Sequence, residues 1–434
     1  MIKGNKKIIN AWTFYDWANS VYPLVITTSI FPIFYAYMIS QVGTGPGKNM
    51  VEFFNYELSG TVLFSYVVSA SLLVVALLSP ILSGIADYAG NKKSFLKFFC
   101  YLGAISTATL YFFDPQHLEL SMLSIFFASI GFWSSLVFYN AYLPEIAEKN
   151  DHDRISAKGF SMGYIGASTL LIICLLGMDK LGLPGEAIIK AEHVFLLVAI
   201  WWIGFSQYTY YHLPKEDQKR KITKDILFNG FSELKIVWKQ IKSILKLKRF
   251  LYAFFAISMG VQTLMTIAVL FAEDVVFKDT DDKSGLIIAV LIIQFIAIPG
   301  AYIFNVVSRK IGDIKTLTIA AFIWASLCLF TYFFVKEPIL FYVLAGLVGF
   351  VMGGTQALSR STYSKLLPET TDTASFFSFY DVTEKMGMVI GIFLFGFVED
   401  VSGDINTSVL FLTSVFIISF ILLLIVPKKI KYAN

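Results

Sequence analysis

Residues 15–20 read YDWANS, and the aspartate at their centre interrupts a run that is otherwise apolar from Asn10 to about residue 38. Arg360, Asp381, Glu384 and Lys385 lie in comparable apolar surroundings in the second half of the chain. A charged side chain at the centre of a membrane helix costs about 2.5–3.5 kcal/mol on insertion scales, so each must face a cavity or a partner. Three carboxylates against two cations leave one acid in surplus. A surplus acid can hold and release a proton, which is what coupling to a proton gradient requires. The same five residues also read as a static brace of ion pairs, and the sequence does not choose between the two.

Helical spacing sorts the neighbours of these charges. Trp12, Asp16, Asn19 and Pro23 follow i, i+4, i+7, i+11 and share a face. Gly349, Gly353, Gln356 and Arg360 share another, on which the glycines allow close helix approach. Ser258, Gln262 and Thr266 form a polar stripe; Gln294, Asn305 and Asn140 are weaker candidates for the same network. At 1.5 Å per residue, Asp16 lies less than two turns inside its span, at a depth similar to Asp381, Glu384, Lys385 and Arg360. That depth fits a gate or coupling network, with Asn19, one turn deeper, placed to meet a solute.

The elements that position these residues are membrane helices. Of 434 residues, 56% are hydrophobic and 15% charged, where soluble domains carry about 25% charged. The mean hydropathy of +0.67 over the whole length marks an all-α polytopic membrane protein. Lys3, Lys6 and Lys7 precede an apolar stretch far longer than the roughly 7–15 residues of a signal peptide core, so this is a first transmembrane helix. Cys100, Cys174 and Cys328 sit in apolar runs at no metal-like spacing, and His117, His152, His193 and His212 fall in loops or at span ends. These features point to no metal, no cofactor and no enzyme active site, and a net charge of +4 gives no case for nucleic acid.

Runs long enough to cross a bilayer core of about 30 Å fall near 10–38, 59–83, 95–113, 119–142, 158–178, 191–212, 249–273, 284–307, 316–335, 338–362, 376–398 and 405–427. These are twelve spans, six on each side of a long polar interval. They divide the chain into a six-helix bundle at 1–212, a linker at 213–248 and a second bundle at 249–434. Segments on the side of the termini carry 28 of the 35 Lys and Arg residues, whereas the opposite loops carry Lys48, Lys180, Lys190, Lys278, Lys283 and Lys336. The positive-inside rule then puts both termini in the cytoplasm, at the inner membrane in a bacterial cell. Within the linker, Leu227, Phe231, Leu234, Trp238, Ile241 and Leu245 recur at helical spacing, with Lys235, Lys239, Lys242 and Lys246 opposite. That pattern predicts a basic amphipathic helix on the anionic leaflet. GIADYAGNKK (84–93) and VVSRKIGDIK (306–315) follow the second and eighth spans, and aligning Gly90 with Gly312 sets Asp87 against Arg309, a weak internal repeat.

GIADYAGNKK resembles the G-x-x-x-D-x-x-G-[RN]-[RK] signature of the major facilitator superfamily. YDWANS, FYNAYLPEIA (138–147), ISAKGFSMGYIG (155–166) and GGTQALSRS (353–361) narrow the resemblance to the branch of autophagy-related vacuolar amino-acid effluxers and their bacterial relatives. The resemblance covers the whole chain. It implies two pseudo-symmetric six-helix bundles in one monomer, and secondary transport of a small polar solute, an amino acid or similar, by alternating access. A lipid or drug exporter of the same fold and a non-transporting sensor are the alternatives. It further implies that Asp87 meets the N-terminal end of the eleventh span near Ser375 and Phe376, with Gly84 permitting a tight turn beyond the second span. The first, fourth, seventh and tenth spans would line the cavity, which nominates Asn19, Tyr22, Trp133, Gln262, Thr266 and Gln356 for the solute and Asp16, Asp87, Gly84, Arg360, Asp381, Glu384 and Lys385 for coupling and gating.

Overall fold

The computed structural model describes residues 3–44, 50–178, 189–214, 226–277, 284–402 and 405–427. Lys48, Lys180, Lys278, Lys283, the linker stretch 215–225, the C-terminal lysines and the side chains of Leu227 and Phe231 lie outside the described residues.

Among those residues the chain forms thirteen long helices: α1 (Lys6–Val42), α2 (Gly60–Ala89), α3 (Lys92–Thr109), α4 (Leu118–Ala141), α5 (His152–Gly177), α6 (Ala191–His212), α7 (Ile226–Ser243), α8 (Leu245–Phe271), α9 (Ser284–Ile311), α10 (Asp313–Phe334), α11 (Pro338–Leu366), α12 (Thr373–Ser402) and α13 (Ile405–Leu424). Ten are long and apolar enough to cross a membrane. The two others that complete the expected twelve, α6 and α12, have spanning length but are more polar; α12 carries Asp381, Glu384 and Lys385. Helices are the outcome because hydrocarbon offers the backbone no partner, so every N–H and C=O in a span must be satisfied within the segment. A small antiparallel hairpin, β1 (Met50–Phe53) and β2 (Tyr56–Ser59), joins α1 to α2.

Helices α1–α6 pack together, α1 against α5 and α6 and α3 against α4 and α6; helices α8–α13 do the same, with α9 against α11 and α10 against α13. The two halves meet along α2 and α12, α4 and α12, α5 and α9, and α5 and α11. The α9–α11 contact is backbone on backbone. A Cβ on Gly353 would stand 2.1 Å from the carbonyl oxygen of Ala297, one on Gly349 2.4 Å from that of Ile293, and one on Gly300 2.0 Å from that of Phe350. Backbone cannot step aside as a side chain can, so overpacking here exceeds the usual cost of about 1–3 kcal/mol. Gly353→Val is therefore expected to abolish the monodisperse folded peak in size-exclusion chromatography. Gly346→Ala, where the nearest atom would be 3.8 Å away on the Ile292 side chain, should leave the peak unchanged.

Two expectations need correction. Gly84 is not at a turn: α2 runs on through a buried stretch that includes Gly84, Ile85, Ala86, Asp87 and Ala89, and the chain turns at Gly90, in the left-handed region at φ 63°. Gly312, its partner in the repeat, also has positive φ, 92°. Asp87 and its counterpart Arg309 thus lie on the last turns of helices rather than in loops. The second correction concerns α7. Its inward face consists of Val237 and Ile241, continued by Ile244, whereas Trp238 is 46% exposed and stacks on Phe379 of α12 at 5.4 Å. The helix packs across α2 and α12, so part of its apolar face is taken up by protein from both halves instead of lipid.

Candidate functional site between the two halves

Asp16 finds its partner across the molecule. Its Oδ2 lies 3.3 Å from both Nη1 and Nη2 of Arg360 and accepts a hydrogen bond from the Tyr139 hydroxyl at 2.7 Å. Arg360 also donates from Nε to Ser156 Oγ (2.9 Å), from Nη2 to the Ser156 carbonyl (3.0 Å) and from Nη1 to Asn140 Oδ1 (3.3 Å). Its guanidinium carbon stands 4.1 Å from the centre of the Phe160 ring and 4.9 Å from that of Trp12. Buried ions are tolerable only when their hydrogen-bonding capacity is filled in this way. Space for the pair comes from Gly159 on α5, where a Cβ would sit 2.5 Å from Asp16 Oδ2 and 2.9 Å from Arg360 Nη2.

Asp381, Glu384 and Lys385 form a second, separate cluster, not the single five-member network suggested by their common depth. Lys385 Nζ lies 3.1 Å from Asp381 Oδ1, one turn back on α12, and 2.6 Å from Glu384 Oε2. Helical adjacency supplies Lys385 with both acids, which leaves Arg360 to Asp16. Across the seam the ammonium lies 3.8 Å from the centre of the Trp133 ring, and Ser79 Oγ donates to Asp381 Oδ2 at 3.4 Å. Gln262 Nε2 donates to Glu384 Oε1 at 3.0 Å. The Asp16–Arg360 pair is neutral; the α12 cluster has two carboxylates to one ammonium, so the surplus negative charge belongs there. Glu384 is its accessible member, with a side chain 21% exposed, against 7% for Asp381 and 1% for Lys385.

At the lysine-rich end, where α1 begins, the seam is pinned on both flanks. Asp87 accepts from the backbone N–H of Ser375 at 2.7 Å and of Ala374 at 3.3 Å, in the first turn of α12, where an anion is favoured by the free N–H groups. Beside it, Lys92 holds Glu145 and donates to Thr373 Oγ1 at 2.9 Å. On the other flank Lys365 Nζ lies 2.7 Å from Asp153 and 2.5 Å from Asp313, and Ser308 donates to Asp153 at 3.3 Å.

The nominated solute residues are scattered. Trp133 and Gln262 join the α12 cluster. Gln356 Oε1 accepts from Tyr164 across the seam at 2.8 Å. Asn19 is buried beside Ser20, and its Nδ2 has no hydrogen-bond partner among the described residues. Thr266 is exposed and spends its hydroxyl on the carbonyl of Gln262, and Tyr22 packs between Phe132 and Trp202 inside the first half. The Asp16 face is that of Trp12, Asn19 and Pro23, to which Tyr22 does not belong, and over Tyr22–Ile30 α1 widens into π-helical turns, with Thr27 and Thr28 both donating to the Pro23 carbonyl. Sequence reasoning missed Tyr139, Ser156, Gly159 and Tyr164. The only signal for them was their presence in FYNAYLPEIA and ISAKGFSMGYIG, to which no role was attached.

Comparison with known proteins agrees with this architecture. The family model described as "Vacuole effluxer Atg22 like" matches residues 4–154 and 147–432. An uncharacterized MFS-type transporter of Bacillus subtilis, YxiO, is 31% identical over 99% of this chain and 97% of its own. Autophagy-related protein 22-1 of Phaeosphaeria nodorum is 25% identical over 85% of this chain and 76% of its own. Among solved structures, the major facilitator superfamily transporter FucP in the outward conformation superposes with a TM-score of 0.70 at 14% identity, covering 98% of this chain and 99% of FucP. The human organic anion transporter MFSD10 does so at 0.71 and 12%, covering 97% and 100%. These neighbours share the fold, a major facilitator fold spanning the membrane many times. Matched by the family model in both halves and by a full-length relative at 31% identity, the chain belongs to the Atg22-like vacuole effluxer family of MFS-type membrane transporters.

Proposed function

We propose that this chain is a proton-coupled secondary transporter that moves a small polar solute, an amino acid or similar, by alternating access between units 1–212 and 249–434, with α7 of the linker as a strap across their lysine-rich ends. The distribution of buried charge carries this reading. Asp16–Arg360 is neutral and bridges the seam, whereas Asp381, Glu384 and Lys385 sit on one helix with one negative charge in excess. A bridge between halves gates; a surplus acid with an exposed edge exchanges protons. Asp87 and Lys365, with their partners, act as latches that hold the lysine-rich end closed. The positive-inside rule makes that end cytoplasmic, so this is a state closed on the cytoplasmic side. Trp133, Gln262 and Gln356, uncharged and at the seam, suit a small neutral or zwitterionic solute, and one chain supplies every part of the site, so a monomer suffices.

Flux of radiolabelled neutral L-amino acids in reconstituted vesicles should rise several-fold when a pH gradient is imposed. Flux that ignores the gradient would remove proton coupling; no flux of any amino acid would remove the substrate assignment.

A further inference from the structure

Opening the lysine-rich end has unequal consequences for the three cations that the second half places at the seam. Lys365 keeps Asp313, at 2.5 Å and in its own half; Lys385 keeps Asp381 and Glu384. Among the described residues, Arg360 keeps no hydrogen-bond or ring partner in its own half. Its polar partners Asp16, Asn140 and Ser156 and the rings beneath its guanidinium, Trp12, Tyr139 and Phe160, all belong to the first half. Gln356, one turn earlier on the same face of α11, has its Oε1 bound by Tyr164, again of the first half.

A guanidinium stripped of every partner at membrane depth is costly, and its planar fork is matched by a carboxylate bound through two oxygens. Asp16 fills that role imperfectly, since one oxygen serves both terminal nitrogens. We propose that Arg360, with Gln356 beside it, is the receptor for a solute carboxylate in the state open at the lysine-rich end, and that Asp16 displaces that carboxylate as the end closes. The inference rests on the alternating-access reading. It assigns the solute's anionic group to α11 and makes closure a competition between two carboxylates for one guanidinium.

The test uses the full chain in nanodiscs, wild type, Asp16→Asn and Asp16→Asn/Arg360→Gln. The double variant removes both charges and leaves no buried ion unpaired. Calorimetric binding is measured for acetate, L-alanine and L-leucine, each against its own carboxamide. In Asp16→Asn at least one acid should bind about tenfold or more tightly than its amide, as expected for a charge-assisted pair against a neutral one, and the double variant should lose that preference. No preference in Asp16→Asn, or a preference that survives in the double variant, overturns the assignment. Spin labels on Glu148→Cys and Glu369→Cys, exposed residues on opposite halves of the lysine-rich end, separate the two possible failures. The native Cys100, Cys174 and Cys328 are buried and stay unlabelled. If the labels separate in Asp16→Asn without acid preference, the receptor alone is wrong. If they never separate, alternating access fails and the receptor with it.

Discussion

Arg360→Gln is expected to lower the stability of the protein by about 3–5 kcal/mol, the cost of leaving one member of a buried ion pair without its partner. Asp16 is 5% exposed, and after the substitution the Tyr139 hydroxyl alone among the described residues would still serve its carboxylate. Adding Asp16→Asn should recover most of the loss, since a neutral amide does not need a buried counter-ion. The coupling energy from this cycle of single and double variants, read by denaturation in detergent, should exceed the roughly 0.5 kcal/mol seen for sites that do not interact. Additive losses would mean that the pair is not formed in the resting protein.

Lys385→Gln is expected to stop turnover outright. Lys385 is completely buried, and its removal leaves Asp381 and Glu384 facing each other without a cation. Like charges confined at this spacing oppose the state that brings them together. The double variant Lys385→Gln/Glu384→Gln restores the original net charge of the cluster and should recover folded, transporting protein. Glu384→Gln alone removes the exposed acid and leaves Asp381 paired with Lys385. It should therefore preserve solute flux while cutting its response to a pH gradient by about tenfold or more, since the group assigned to exchange the proton is gone. Both effects are measured as vesicle flux with and without the gradient.

The membrane fold was legible because hydropathy and span length are properties of single segments: all twelve expected runs appear as helices, and Gly90 and Gly312, aligned by the repeat alone, share a positive φ. The run at 376–398 reads as apolar like the others, although α12 carries Asp381, Glu384 and Lys385. Individual charges were legible as well, since Asp16 and Lys385 cannot face lipid. Their pairing was not. That Asp16 goes to Arg360, and Lys385 to its own helix neighbours, depends on how α1, α5 and α11 approach one another. That approach is set by small residues such as Gly159 whose importance is steric and invisible in one dimension. Periodicity also has a range. It served Asp16 and Asn19, and it stops short of Tyr22–Ile30, where α1 leaves regular α-helical geometry. In the linker it identified a helix, but the inward face depends on contacts with α2 and α12, so Val237 and Ile244 displaced Trp238.

Two pairs of spin labels in one protein test the central claim most directly. One pair, Glu148→Cys and Glu369→Cys, reports the lysine-rich end; the other, Gln116→Cys and Glu337→Cys, reports the opposite end, and all four positions are exposed. Measured as distance distributions between pH 5 and pH 8, each pair should show two populations, one end closing in proportion as the other opens. The balance should move with pH in the wild type and hold still in Glu384→Gln. A single population at both ends, or a pH response that Glu384→Gln retains in full, would contradict an alternating transporter coupled through the Asp381–Glu384–Lys385 cluster.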